Sequence, residues 1–501
     1  MPWAATMIDH FFHLDFDHQR GLQEQLRESL VSAILAGGFP QEEALPSCRR
    51  LSQQLSISRN TVALVYESLL DNGYLVSRPR SGYYLHPDYC GSQREVALAR
   101  LAPAHSDANP QAVDAPGWSG RFKMQPSMRH GVLRPSDWRR FTYPFIYGQP
   151  IADLFPLERW REVSRSSMRS ERNPEWLRDS HDQDDAMLIE QLRTRVLPKR
   201  GIWAGADEIL ITLGSQNALY LLATLLMGKG TRVALENPGF GDAWNVFDLQ
   251  GADIHLQDVD EQGMRVDERL DGCEYLYVTP GHQVPSGVSM SAVRRSQLLQ
   301  RIRQHDQIVI EDDYDAELNL DSHAQPALKA SDSSGRVVYM SSLSKAFSPG
   351  LRLGYLVADA ELIDELRALR RLMYRHPPLN NQRMLAQFLA QGHYDAHLRR
   401  FREEHGRRRE ALHAALDSLL AGCRHVSSAG AGAFWLAAPA GVDSQKLAWA
   451  AAQQSVLIEP GAQFFFNESP PQRFFRMGFH AIDVPLIAPG IRILNEVLQG
   501  Q

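Results

Sequence analysis

From residue 208 onward the chain repeats one pattern: a short apolar run, a cluster of polar residues, then a stretch of helical character. The runs lie at 208–212, 232–235, 275–278, 307–310 and 337–340. Alternation at this spacing admits few architectures. It predicts an α/β domain built on an open, mainly parallel sheet. Ligands of such sheets bind outside the carboxyl ends of the strands, and the polar clusters of this chain fall at those ends.

The last run breaks into Ser341-Ser342-Leu343-Ser344-Lys345-Ala346-Phe347-Ser348-Pro349-Gly350-Leu351-Arg352. A lysine at the end of a buried strand is desolvated, which frees its amine to attack a carbonyl. Ser342, Ser344 and Arg352 offer hydroxyls and a charged fork for a phosphate. An aldehyde partner beside a phosphate cup points to pyridoxal 5'-phosphate, bound to Lys345 as a Schiff base. The other clusters suit the same ligand. Gly214-Ser215-Gln216 opens a helix whose amides can hold phosphate. Phe240, in Glu236-Asn237-Pro238-Gly239-Phe240, can stack on a flat ring. Gln283 follows the next run and can donate to a ring oxygen. Asp312, in Glu311-Asp312-Asp313-Tyr314-Asp315, can keep a pyridine nitrogen protonated. Arg476, near the end, offers a fork for a carboxylate. Each has a plainer alternative: Ser215 as a helix cap, Phe240 as core, Asp312 as half of an ion pair, His282 as a packed histidine. Their order along the chain favours the ligand.

At 501 residues the chain exceeds the size of one core, so at least two domains are expected. A net charge of −6 gives no global sign of nucleic-acid binding, so any such role needs a local patch. Cys48, Cys90, Cys273 and Cys423 are scattered, which indicates neither a disulfide framework nor a zinc site. No basic-then-apolar leader and no membrane-spanning run is present in the sequence, and the expected location is cytoplasmic.

The first 86 residues read as a separate domain. Leu22, Leu26, Leu30 and Ile34 keep helical spacing. A short helix with Ser47 as N-cap follows, then a turn, a helix over 58–70 closed by Asp71-Asn72-Gly73, and two strands around a basic turn. This is the layout of a winged helix-turn-helix. Arg59, Asn60 and Thr61, at the start of the second helix of the motif, are placed to reach base edges in a major groove. Arg49, Arg50, Arg78 and Arg80 are placed to neutralise phosphates. Residues 1–90 hold seven arginines, no lysine and ten acids, but five of the arginines sit on the presumed contact elements. One such domain makes few contacts, which implies a dimer on a paired operator. Residues 87–141 have no period and read as a tether.

The front domain resembles the GntR-type regulators in its LPSxRxLxxxLxxSRxTVxxxYxxLxxxGYLxxRxxSGYY pattern, and residues 142–501 resemble the fold-type-I aminotransferases. The whole chain is similar to the MocR/GabR group of GntR-type regulators. The resemblance implies a seven-stranded-type sheet with a smaller C-terminal α+β subdomain. Lys345 matches the Schiff-base lysine, Asp312 the pyridine-nitrogen partner and Tyr314 the residue bonding the ring hydroxyl. Gln283, Ser215, Gln216, Ser342, Ser344 and Arg352 match further cofactor positions, and Arg476 matches the effector-carboxylate arginine. Phe240 stands where GabR-like members have tyrosine, and Asp242 where they have arginine. The function implied is a regulator that binds double-stranded operator DNA as a head-to-tail homodimer. It senses an amine or amino acid that displaces Lys345 by transaldimination. A working aminotransferase with an attached DNA-binding domain, and a sensor of the cofactor itself, are the alternatives.

Overall fold

The computed structural model describes residues 20–35, 39, 43–79, 81–89, 117–129, 131, 135–148, 151–169, 179, 182–318, 325–343, 345, 347–426 and 428–500. Arg80, Ser344, and Cys90 with most of the tether lie outside them. The chain divides into two compact units, Met1–Arg121 and Phe122–Gln501, so the division falls inside the stretch read as a tether.

The first unit holds helices α1 (Leu22–Leu35), α2 (Cys48–Gln54) and α3 (Arg59–Asp71), then strands β1 (Leu75–Arg78) and β2 (Gly82–Leu85). Leu26, Leu30 and Ile34 of α1 pack with Val62, Val65, Tyr66 and Leu69 of α3 in one small core. On α3 those four positions follow helical spacing, so Arg59 and Asn60 remain exposed. Ser47 caps α2 by accepting from the Arg50 amide at 3.3 Å, and Ser58 caps α3 by accepting from the Thr61 amide at 3.0 Å. Gly73, at φ 73°, supplies the left-handed residue that closes α3. The hairpin is antiparallel, with Arg78 opposite Gly82.

The second unit opens with a short strand β3 (Tyr143–Pro144). Its main sheet comprises β4 (Ile209–Thr212), β5 (Arg232–Asn237), β6 (Asp253–Asp260), β7 (Gly263–Met264), β8 (Tyr275–Val278), β9 (Ile308–Asp313), β10 (Val337–Ser342) and β11 (Gly354–Val357). The strand order is β4-β11-β10-β9-β8-β5-β6-β7. Strands β10, β9, β8, β5 and β6 run parallel, whereas β11 runs against both of its neighbours and β7 against β6. Every residue of β4 and β10 is buried, as expected of strands covered on both faces. Alternate residues serve opposite faces. Val338 and Met340 pack with helices α4 (Ser215–Leu226) and α5 (Gly241–Leu249), whereas Val337 packs with α6 (Ala292–Gln304). Tyr339, facing the same way as Val337, packs with α7 (Leu379–Ala390).

The carboxyl-terminal subdomain is α+β. The long helix α8 (His393–Leu419) leads to β12 (Arg424–Val426) and β13 (Ala433–Ala437), then α9 (Ser444–Gln453), β14 (Val456–Leu457), β15 (Glu459–Pro460), β16 (Phe474–Gly478) and α10 (Val484–Gln499). Four strands form an antiparallel sheet in the order β12-β13-β16-β15, and β14 pairs with β3. Phe434, Leu436, Phe475 and Met477 pack there against Leu412 and Leu416 of α8 and Ile487, Ile491 and Leu494 of α10.

Candidate functional site

The three acids that end β9 have different surroundings. Glu311 accepts from the Leu328 and Lys329 amides at 2.7 and 2.9 Å. Asp313 faces Arg200, whose Nε donates to it at 2.8 Å, and also accepts from the Tyr339 hydroxyl at 2.9 Å. Asp312, between them, points to the opposite face of the sheet. Its Oδ2 accepts from the Tyr277 hydroxyl at 2.7 Å, while its buried Oδ1 has no hydrogen-bond partner among the described residues. A buried carboxylate oxygen with nothing to accept from costs free energy in the folded chain. Burial raises the Asp312 pKa, against the pull of the Tyr277 hydroxyl and the Lys345 ammonium. Glu236, at the end of β5, is pushed up to about 7 by burial, and accepts from the Thr279 hydroxyl at 2.5 Å.

Lys345 follows the end of β10. Its Nζ lies 3.8 Å from the centre of the Tyr314 ring and donates to the Tyr147 hydroxyl at 3.1 Å. Tyr314 is buried and donates its own hydroxyl to the His282 carbonyl at 2.9 Å, which leaves the oxygen able to accept a further bond. Arg476, on β16, is also buried. Its guanidinium lies 4.6 Å from the centre of the Tyr147 ring, and its Nε donates to Glu459 at 2.8 Å. The structure therefore joins Lys345 and Arg476 through Tyr147, a residue that sequence reasoning did not single out.

At the end of β4 the chain turns through Gly214, at φ 82°, into α4, with Ser215 and Gln216 in its first turn. Arg352 lies against that turn. It donates to the Leu213 carbonyl at 3.1 Å, and a Cβ on Gly214 would stand 3.5 Å from its guanidinium. Arg352 itself takes a left-handed backbone at φ 52°, a conformation that costs a non-glycine residue about 1 kcal/mol or more. Free amides at a helix start beside an arginine make an anion site. Ser342 ends β10 and is buried. Phe240 is half-buried at the start of α5 and packs on the core beneath the sheet.

Gln283 is not brought to the cluster through its amide. Its Nε2 donates to the Pro238 and Val284 carbonyls at 2.7 and 2.5 Å, and its Oε1 accepts from the Ser286 hydroxyl at 2.6 Å. Both amide hydrogens are therefore engaged by protein acceptors in the loop after β8. His282 pairs with buried Asp315 at 2.9 Å.

In the first unit, Arg49, Arg50, Arg59, Asn60 and Arg78 are exposed. The Thr61 hydroxyl lies 2.8 Å from that of Ser58, so it is engaged at the cap. Arg78 lies over the Tyr84 ring, 4.1 Å from its centre, which fixes the guanidinium on the wing. Arg80 belongs with Ser344 outside the described residues.

Pyridoxal phosphate suits the donors present in the second unit. An unpartnered buried carboxylate oxygen, an amine and an arginine-flanked helix start answer its ring nitrogen, aldehyde and phosphate. Comparison with known proteins agrees. Residues 182–483 match the family model "Aminotransferase class I and II", and residues 22–85 match "Bacterial regulatory proteins, gntR family". The chain is 35% identical over 497 residues to the HTH-type transcriptional regulator TauR of Rhodobacter capsulatus, covering 99% of this chain and 100% of that protein. It is 30% identical to the probable rhizopine catabolism regulatory protein MocR of Rhizobium meliloti, covering 96% and 95%. The chain belongs to the MocR-type transcriptional regulators. Among solved structures, the kynurenine aminotransferase of Pyrococcus horikoshii superimposes with a TM-score of 0.70 at 26% identity, over 77% of this chain and 98% of that one. This MocR-type chain thus joins a GntR helix-turn-helix to a fold-type-I aminotransferase domain. Among its described residues no helix is long and apolar enough to cross a membrane.

Proposed function

We propose that this regulator holds pyridoxal 5'-phosphate in its second unit and senses a primary amine or amino acid there. The observation that carries this reading is the unpartnered Oδ1 of buried Asp312, on the same site as the Lys345 amine. Bound pyridoxal phosphate supplies an aldehyde that condenses reversibly with primary amines. Asp312 would hold a proton at the ring nitrogen, with Tyr277 fixing the carboxylate. Ser215, Gln216, Ser342 and Arg352 would take the phosphate, with Phe240 against the ring. Tyr314 would accept at the ring hydroxyl. Lys345 would be the resident amine, and an incoming amine would compete with it. Tyr147 would receive the displaced Nζ, which it already contacts. Arg476 would meet an effector carboxylate through its Nη groups, since its Nε is bound to Glu459.

An effector shifts a regulator only by its differential affinity for two arrangements. Here the readout would be binding of double-stranded operator DNA by a head-to-tail homodimer, through Arg49, Arg50, Arg59, Asn60, Thr61, Arg78 and Arg80. The acid at Asp242, where GabR-like members have arginine, suits an effector with a second amine rather than a far carboxylate.

The test uses the full-length holoprotein. Amines and amino acids are screened for a change in the visible absorption of the bound cofactor, and the hits are assayed for their effect on operator affinity. A hit that changes both, with both responses lost in Lys345→Ala, is the expected result. Steady amino transfer over many turnovers with no operator binding would overturn it in favour of an enzyme. A difference between apo- and holoprotein on DNA, with no amine effect, would make the cofactor itself the signal.

A further inference from the structure

Away from this site, on the carboxyl-terminal subdomain, two histidines and an aspartate converge. His413 and Asp417 lie one turn apart on α8, and His425 enters from β12, just after that helix ends. Nδ1 of His413 is 3.0 Å from one carboxylate oxygen of Asp417, and Nε2 of His425 is 2.8 Å from the other. One donor atom from each of the three residues lies within 4.8 Å of the others. We infer that His413, Asp417 and His425 form a binding site for a divalent transition-metal ion, with zinc as the reference case.

Three features favour this reading. The first is preorganisation. Phe434 of β13 stands edge-on to both imidazoles, with ring centres 5.9 Å from His413 and 5.6 Å from His425, and holds the two rings 5.2 Å apart. The second is the short span from 413 to 425, which keeps the entropy of closing a chelate small. The third is access: His425 is 16% exposed whereas His413 and Asp417 are 46% and 58% exposed, so the site is backed by protein on one side and open to water ligands on the other. Two imidazoles and one carboxylate select zinc, nickel, cobalt or copper over magnesium or calcium, which take oxygen ligands. Tetrahedral zinc with bonds of about 2.1 Å sets its ligand atoms about 3.4 Å apart. The two nitrogens contact different oxygens of the carboxylate, so zinc binding would bring both onto one ion by a rearrangement within the 4.8 Å span of the three donor atoms.

The same contacts would serve a plain hydrogen-bonded clasp. The two differ in protons. A clasp needs a proton on each nitrogen that faces Asp417, whereas a metal needs the lone pairs of those nitrogens and releases any proton there. Bound metal would tie the end of α8 to β12, the outer strand of the sheet that carries Arg476.

Full-length holoprotein and the variants His413→Ala, Asp417→Asn and His425→Ala are dialysed against micromolar zinc chloride and analysed for metal. The chain has 18 histidines, so the site is read as a difference between proteins and not as total zinc. Wild type should retain one zinc per chain more than each variant. Its unfolding midpoint should rise saturably with zinc, whereas the variants' should not. His413 is half exposed, so His413→Ala should still fold, with a metal-free midpoint lowered modestly by the lost contacts with Asp417 and Phe434. The zinc-dependent shift of each protein from its own metal-free midpoint separates lost binding from lost folding. Equal zinc content and equal midpoint shifts in wild type and His413→Ala would overturn the site. Displacement of that zinc by a hundredfold excess of magnesium or calcium would overturn the assigned ligand class.

Discussion

Asp312 shows how one residue's chemistry is set by what its neighbours already have. Glu311 and Asp313 have their donors, so of the three acids that end β9 Asp312 is the one with a buried oxygen to spare. The Tyr277 bond to it is charge-assisted when Asp312 is ionised, and such bonds are worth about 1.5–3 kcal/mol. Asp312→Asn should therefore weaken retention of pyridoxal phosphate by roughly 10-fold or more, and Tyr277→Phe by less, read as the cofactor concentration that half-restores visible absorption. Equal retention in Asp312→Asn would remove the residue from the site. A pH dependence follows as well. Burial raises the carboxyls of Glu236 and Asp312 above the value near 4 of an unfolded chain. Between that value and about 7, where Glu236 titrates, the unfolded state gives up its protons first, so stability falls as pH rises. Apoprotein should thus melt lower at pH 8 than at pH 5.5, and cofactor should flatten the slope by giving Asp312 a cationic partner. A melting midpoint that rises across this interval in apoprotein would contradict the assignment. The sequence showed Lys345, Asp312 and Arg476 because each follows an apolar run or a recognisable motif. It did not show Tyr147, Tyr277 or Glu459: Tyr277 reads as one more residue of an apolar run, and the partners of the three lie 198, 35 and 17 residues away.

Among the elements, β11 packs directly against the turn at Gly214. It runs against β10 and β4, which sets Gly354 opposite both Ser342 and Thr212. A Cβ on Gly354 would stand 2.8 Å from the Gly214 backbone and 2.8 Å from the Ser341 carbonyl. Only a glycine lets the reversed strand lie so close to the turn that Arg352 flanks. Gly354→Ala should cost about 1–3 kcal/mol, as overpacking does, and weaken phosphate retention in the same protein. Denaturant titration reads the first effect, and cofactor affinity measured well below the unfolding midpoint reads the second. Loss of stability with unchanged affinity would show that the turn does not depend on this packing. The parallel strands were legible because strands covered on both faces read as continuous apolar runs. The reversal of β11 was not, since Gly354-Tyr355-Leu356-Val357 reads the same in either direction. The α+β character of the small subdomain came from the family resemblance and not from alternation: β15 has two residues and β12 three, too few to show one.

At the scale of the whole molecule, the proposed regulation requires that an event at Lys345 change the affinity of Arg59 and its neighbours for DNA. The two groups belong to different compact units of one chain. Arg129 already forms an ion pair with Asp248 of α5, so the chain is attached to the second unit at least that far forward. On the reading of residues 87–141 as a tether, its length would set how readily the helix-turn-helix finds its operator. Two variants separate the links. Arg59→Ala should lower operator affinity by about 10- to 100-fold while leaving the effector's half-maximal spectral change where it was. Deleting residues 98–110 should leave both the spectral change and the binding of isolated half-sites intact, yet reduce the effector-dependent change in affinity for the paired operator. Were the shortened chain to respond on the paired operator as fully as wild type, coupling would not run through the tether. The coupling would then have to pass through direct contact between units, independent of linker length.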